Sequence, residues 1–256
     1  MRIRPDVELA NISDVGCVRT ANEDFFLYNE PEDEDEFKRR GRLMVVTDGM
    51  GGRNGGEVAS YLAAMKIREV FLEAEEANPR QVLVTGFQLA HRAILERADQ
   101  DPGLEGMGAT CCAAIFHGGQ MYYGHVGDSR IYLIRDGRAE QLTEDHSLVA
   151  RMVREGLLTA EEAEHHAQRN VITQALGVDS DNLAGDFPQQ PLQLVAGDIV
   201  LICTDGLHGL VSGGEMALAI DGQSLAQASR ELVSLAKVRG GPDNITVQML
   251  GIRQVE

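Results

Sequence analysis

The chain has 256 residues, 43% of them hydrophobic and 25% charged, with 40 acidic residues against 23 basic ones and a formal net charge of −17. That length can bury a sizeable core, and the composition is ordinary for a soluble globular protein. The negative field repels nucleic acid and anionic membranes, so neither is expected as a partner.

No apolar run is long enough to span a bilayer, and Met1 to Ala10 lacks an apolar core of signal-peptide length. Cys17, Cys111, Cys112 and Cys203 show no paired spacing and are expected as buried free thiols, which fits a soluble protein of the cytoplasm. In chain order, strands are predicted at Val7 to Ile12, Phe25 to Tyr28 and Leu43 to Thr47. Between them the acidic run Glu30 to Glu36, followed by Lys38, Arg39, Arg40 and Arg42, reads as a solvated loop. Two helices follow, with apolar stripes through Ala59, Leu62, Ala63, Ile67, Val70 and Phe71 and through Leu83, Phe87, Ala90, Ile94 and Ala98. Strands return at Ala109 to His117 and Gln120 to Val126 around Gly118-Gly119, and at Ile131 to Ile134 and Ala139 to Leu142 around Asp136-Gly137. Ser147 to Gly177 reads as helical and polar with a break at Gly156. Strands at Leu192 to Leu194 and Ile199 to Cys203, a helix through Leu225, Ala228, Leu232 and Leu235, and a last strand at Ile245 to Leu250 complete the pattern. Hairpin-joined strands with paired helices imply an α+β fold of antiparallel sheets covered by helices, one domain over 1–256.

One arrangement occurs twice. The apolar strand Leu43 to Thr47 runs into Asp48-Gly49-Met50-Gly51-Gly52, and Ile199 to Thr204 runs into Asp205-Gly206-Leu207. Each presents a carboxylate at a strand end, with a glycine that permits a sharp turn and a close backbone approach. If the two strands are neighbours, the carboxylates converge and must take up a proton or bind a cation. Arg19-Thr20-Ala21-Asn22-Glu23-Asp24 and Gly240-Gly241-Pro242-Asp243-Asn244 place further acids just before strands. Each alone is common turn chemistry. Four together, with no His or Cys cluster, point to a hard-cation site for Mg²⁺ or Mn²⁺. Two such ions about 3.5–4 Å apart can activate a water and neutralise a transferring phosphoryl group.

The set Arg19-x-x-Asn22-Glu23-Asp24, Thr47-Asp48-Gly49-Met50-Gly51-Gly52, Gly127-Asp128-Ser129-Arg130, Thr204-Asp205-Gly206 and Gly241-Pro242-Asp243-Asn244-Ile245-Thr246 resembles the metal-dependent protein phosphatases of type 2C. Leu142-Thr143-Glu144-Asp145-His146-Ser147, with Asn170 to Gly177, is similar to the bacterial branch. The resemblance implies a four-layer α-β-β-α sandwich, two antiparallel sheets face to face with helix pairs outside, and a flap at about 147–181. It implies hydrolysis of phosphoserine and phosphothreonine by a water bridging two Mn²⁺ or Mg²⁺ ions. Asp48 would bridge both ions, Glu23 and the Gly49 carbonyl would complete one site, and Asp205 and Asp243 the other. Arg19 would hold the phosphate, Asp24 would orient the water, and Asp128 with Asp205 would hold a third, weaker ion. Substrates would be phosphoproteins, the targets of a serine/threonine kinase or the kinase itself, and the enzyme would act as a monomer. A relative reduced to a scaffold would lack a metal carboxylate, yet Glu23, Asp48, Asp205 and Asp243 are all present.

Three departures are visible, and one of them, Arg53, which stands where a histidine is frequent in bacterial forms, carries no implication. Met50 stands where some members carry a histidine as leaving-group acid, so that proton would come from elsewhere, a metal-bound water being one source. Gly209 stands where many members place an acid near the third ion. His208 beside it reads as a solvated loop residue. Arg130 is expected in an internal ion pair, and His165-His166 as a polar helix end.

Overall fold

The computed structural model describes residues 3–51, 55–74, 78–178 and 185–255; Gly52, Arg53 and the stretch 179–181 lie outside them. One sheet has the order β1-β11-β10-β7-β8, formed by β1 (Val7–Asp14), β11 (Ile245–Ile252), β10 (Ile199–Cys203), β7 (Arg130–Arg135) and β8 (Arg138–Gln141). The second has the order β2-β3-β5-β6-β9, formed by β2 (Asp24–Asn29), β3 (Arg42–Met50), β5 (Cys111–His117), β6 (Gln120–Val126) and β9 (Leu192–Gln193). A short β4 (Gly108–Ala109) pairs with the end of β3. All pairings are antiparallel.

The uninterrupted apolar runs are explained by burial on both faces. In β3, Met44 and Val46 face the other sheet, packing with Ile131, Val200, Ile202 and Leu250. Leu43 and Val45 face outward onto α2 (Gly55–Glu73) and α3 (Pro79–Gln100). Strand β10 does the same, Val200 and Ile202 inward, Leu201 and Cys203 outward under α8 (Leu225–Val238). The result is the expected four-layer sandwich. Each fully buried Leu, Ile or Val contributes roughly 1.5–3 kcal/mol of transfer free energy. Within the outer helix pair, Gly86 lets α3 approach α2 closely, because a Cβ there would already touch the Ile67 Cα at 3.4 Å.

Several local expectations are corrected. The acidic run is not a solvated loop. Asp33 caps a helix, α1 (Glu34–Arg40), by accepting from the Asp35 and Glu36 amides. Acids in the first turn and bases in the last complement the helix dipole, and Phe37 anchors the helix in the core. Glu30 is buried beneath it, held by Arg4, Arg42 and Tyr28. The segment 147–177 is helical only at α4 (Leu148–Arg154) and α5 (Ala160–Glu164). Its polar composition supplies no stripe to bury, so the remainder runs as turns tied by the bridges Ser147↔Ile172 and Ala109↔Leu176. Two helices, α6 (Asp205–His208) and α7 (Gly213–Ile220), lie where the sequence pattern predicts none. The second carries a readable signal, the capping box of Ser212 with Glu215. All four cysteines are free, and Cys17 is exposed rather than buried. Among the described residues, no helix is long and apolar enough to cross a membrane.

Candidate metal centre

The carboxylates converge, but not by the expected route. Strands β3 and β10 belong to different sheets, so Asp48 and Asp205 meet across the sandwich, at the end where both strands terminate. Two links hold this end together. Asp24 lies opposite Asp48 in the β2/β3 register, and its Oδ2 accepts a 2.9 Å hydrogen bond from Thr204 Oγ1, next to Asp205. The Thr246 amide in turn donates to Thr204 Oγ1 (3.1 Å), which ties in β11. Asn244 forms the second link. Its Nδ2 donates to the carbonyls of Val15 (3.1 Å) and Ala21 (2.9 Å), while its Oδ1 accepts from the Glu23 amide at 2.8 Å. The sequence motifs contain Asn244 and Thr204 without marking them as organisers of the site. Their one signal is adjacency to Asp243 and Asp205.

The glycines serve close approach. A Cβ on Gly49 would lie 2.0 Å from the Gly56 carbonyl oxygen, and one on Gly206 2.0 Å from that of Asn244. A Cβ on Gly56 would meet Glu23 Oε1 at 2.5 Å and the Gly49 carbonyl oxygen at 2.8 Å. Those two oxygens therefore share a cradle that any side chain would fill.

Electrostatics within the cluster are adverse. Burial, then Asp24, Asp205, Asp128 and Asp243, pushes Asp48 well above the usual carboxylate range. Burial raises Asp24 to about 7 against hydrogen bonds from Thr246 and Thr204. Burial with Asp205 and Asp145 raises Asp128 to about 7, and burial with Asp243 raises Asp205 to about 6. Glu23 is raised by burial, with Arg19 opposing. Buried oxygens Asp24 Oδ1 and Asp205 Oδ1 have no hydrogen-bond partner. A cluster of carboxylates with orphaned oxygens, a shared carbonyl and no nitrogen or sulfur donor fits hard divalent cations.

Arg19 is exposed and pairs with Asp243 through one Nη2 contact of 2.8 Å. Arg130 forms the expected internal pair, bidentate to Asp145 at 2.8 Å on both oxygens. His208 is not solvated. Helix α6 turns it under the Asp128 loop, where its Nε2 lies 2.9 Å from the Asp128 carbonyl and burial pushes its pKa to about 3. Met50 is half-buried at the end of β3, and His165 directly follows the last residue of α5.

The raised carboxylates have a testable consequence. Their folded pKa values lie above the unfolded 3.8, so the metal-free folded state holds protons that the unfolded chain has released. Metal-free stability should therefore fall as pH rises from about 6.5 to 8. Below about 6.5 the neutral imidazoles of buried His125 and half-buried His208, whose pKa values are lowered, begin to act in the opposite sense. Protons and cations compete, so the gain in melting temperature from Mn²⁺ over EDTA should shrink on acidification across that window. A calorimetric gain that is flat or grows toward pH 6.5 would refute the electrostatic account.

Residues 32–240 match the protein phosphatase 2C family. The protein phosphatase PhpP of Streptococcus pneumoniae D39 is 34% identical over 252 residues, 97% of this chain and 98% of that protein. The serine/threonine phosphatase structure from S. agalactiae superposes with a TM-score of 0.87 at 33% identity, covering 96% of this chain and 99% of that one. The catalytic domain of the phosphatase PstP in complex with two manganese ions gives 0.80 at 33% identity, covering 96% and 97%. With the fold, the carboxylate cluster and these likenesses in agreement, the chain belongs to the protein phosphatase 2C family and is a metal-dependent serine/threonine protein phosphatase.

Proposed function

We propose that this phosphatase hydrolyses phosphoserine and phosphothreonine in one step, without a covalent intermediate, at two divalent ions held by the convergent carboxylates. The observation that carries this reading is the cluster itself: Asp48, Asp24, Asp205 and Asp128 raise one another's proton affinity, and two of their buried oxygens lack any partner. Glu23, Asp48 and the Gly49 carbonyl would hold one ion, and Asp48, Asp205 and Asp243 the other. Asp128 with Asp205 would hold a weaker third. Mn²⁺ or Mg²⁺ bound there would supply Lewis acidity, making a water nucleophilic at neutral pH and neutralising charge on the phosphoryl oxygens. Asp24, through its unpartnered Oδ1, would hold the attacking water in place. Arg19, with donors left over from its single contact to Asp243, clamps the phosphate. The segment at about 147–181 acts as a flap beside the site, within one catalytic domain. Substrates are phosphoproteins made by a serine/threonine kinase, or the kinase itself, in the cytoplasm, and the enzyme works as a monomer.

The test is hydrolysis of a phosphothreonine peptide with and without Mn²⁺. Wild type should require the ion, and Asp205→Asn should lose roughly 10²–10³-fold in turnover. Wild-type inactivity with every divalent ion tried would remove the enzymatic reading.

A further inference from the structure

Behind the Asp128 loop lies a second cluster that takes no part in the phosphatase centre. His125, on β6 and fully buried, stacks near buried His146 with ring centroids 4.6 Å apart. His146 Nε2 lies 3.2 Å from Asp186 Oδ2. One donor atom from each of the three falls within 4.8 Å of the others. The backbone already holds them together. The His125 and Asp186 amides donate to one another's carbonyls (3.0 and 2.8 Å), and the His146 amide donates to the Gly127 carbonyl (2.8 Å).

The protonation of His125 follows from its partner. Its Nε2 sits 2.9 Å from the Gly127 carbonyl oxygen, which can only accept, so Nε2 carries the ring proton. Nδ1 is then a bare lone pair, buried and without a hydrogen-bond partner. Burial, with His146 beside it, pushes its pKa to about 4 and keeps the ring neutral. An orphaned buried acceptor is costly and calls for an occupant. An imidazole with one nitrogen on a backbone carbonyl and the other free is the arrangement that metal-ligating histidines adopt.

We propose that His125 Nδ1, His146 Nε2 and an Asp186 carboxylate oxygen form a separate site for a borderline divalent ion, Zn²⁺ by preference. Two imidazoles and one carboxylate suit zinc, whereas the all-oxygen centre suits Mg²⁺ or Mn²⁺. His125 and Asp186 also line a groove of about 370 Å³, together with Tyr123, Leu142, Glu144 and Phe187, which leaves room for a fourth, non-protein ligand. The Gly127 amide donates to His146 Nδ1 at 3.2 Å, so the neutral ring bears its proton on Nε2, toward Asp186. Coordination moves that proton to Nδ1 and gives up the long Gly127 contact. The ion would join the residue preceding Ser147, the cap of α4, to one beyond the far end of the segment 147–178, and fasten both to β6. It would thereby restrain that segment beside the active end. This inference does not rest on the hydrolytic mechanism.

The test is calorimetric titration of Zn²⁺ into the full chain kept in excess Mg²⁺, so that the oxygen sites are filled. One Zn²⁺ per chain is expected, bound at least about 10-fold more weakly by Asp186→Asn and not at all by His125→Gln. The Asp186 side chain is 63% exposed, so that variant tests the site even if the buried His125 substitution fails to fold. Hydrogen exchange across 147–178 should slow on Zn²⁺ addition in wild type and not in Asp186→Asn. Absence of a Zn²⁺ site beyond those that Mg²⁺ fills, or equal Zn²⁺ binding by wild type and Asp186→Asn, would overturn the proposal.

Discussion

The substitution Asp48→Asn is expected to abolish most Mn²⁺-dependent turnover and, at the same time, to stabilise the metal-free protein. Asp48 sits among Asp24, Asp205, Asp128 and Asp243, each of which disfavours its charge. The amide keeps the shape of the carboxylate, removes the charge and offers two donors to neighbouring carboxylates. Relief of a poorly compensated charge of this kind is worth about 1–3 kcal/mol. For a chain of this size that is roughly 2–12 °C in melting temperature. The catalytic loss should reach at least roughly 10²–10³-fold, the usual cost of removing one preorganised electrostatic group. The two effects have opposite signs because the charge that destabilises the empty site is the charge that binds the cation. Melting in EDTA and peptide hydrolysis in Mn²⁺ measure them separately. Turnover within about 10-fold of wild type would remove Asp48 from the centre, and a lower melting temperature in EDTA would refute the repulsion.

The largest loss of stability should come from the opposite end of the same strand. Arg42 is 5% exposed; its Nε donates to Glu30 at 2.6 Å, and its Nη2 donates to both oxygens of Asp6 at 2.7 and 2.6 Å. Its guanidinium carbon lies 4.6 Å from the centroid of the Phe37 ring, and that of Arg4 lies 3.8 Å from it. Burial alone would raise the Glu30 carboxyl, but hydrogen bonds from Tyr28, Arg42 and Arg4 hold it below the usual value. Arg42→Met leaves that buried carboxylate with Arg4 as its remaining cation, at a cost of about 3–5 kcal/mol. The expected fall in melting temperature is roughly 6–20 °C. Adding Glu30→Gln should recover part of it, since the stranded charge is then gone. Asp48 lies six positions along β3 from Arg42, about 20 Å of strand. Turnover per folded molecule at low temperature should therefore stay near wild type. A loss below about 1 kcal/mol, or a double variant worse than the single, would show that this network is not what holds the end closed.

Much of the architecture is legible in the sequence because the signals are local. Strand β3 reads as a buried strand from Leu43 to Val46 alone, and α2 and α3 from apolar residues every three or four positions. The candidate carboxylates are legible as well, since Asp48-Gly49 and Asp205-Gly206 each end an apolar run. What the pattern misplaces depends on distant partners. Glu30 looks solvated because the arginines that bury it, Arg4 and Arg42, lie 26 and 12 residues away. The segment after Ser147 looks helical because polar residues are compatible with a helix, yet only a buried face would have sustained one.

The local sequence determined the long strands and the long amphipathic helices, and which carboxylates stand beside glycines at strand ends. Chain pattern decides these because backbone dihedrals and side-chain parity are properties of neighbouring residues. Only the tertiary structure decided that Asp48 and Asp205 meet across two facing sheets rather than along one, and that Thr204 and Asn244 tie Asp24, Glu23 and the last strand together. It also decided that His125, His146 and Asp186 share one point. Convergence of this kind is set by sheet order and face-to-face packing, which join residues as far apart as 229 positions.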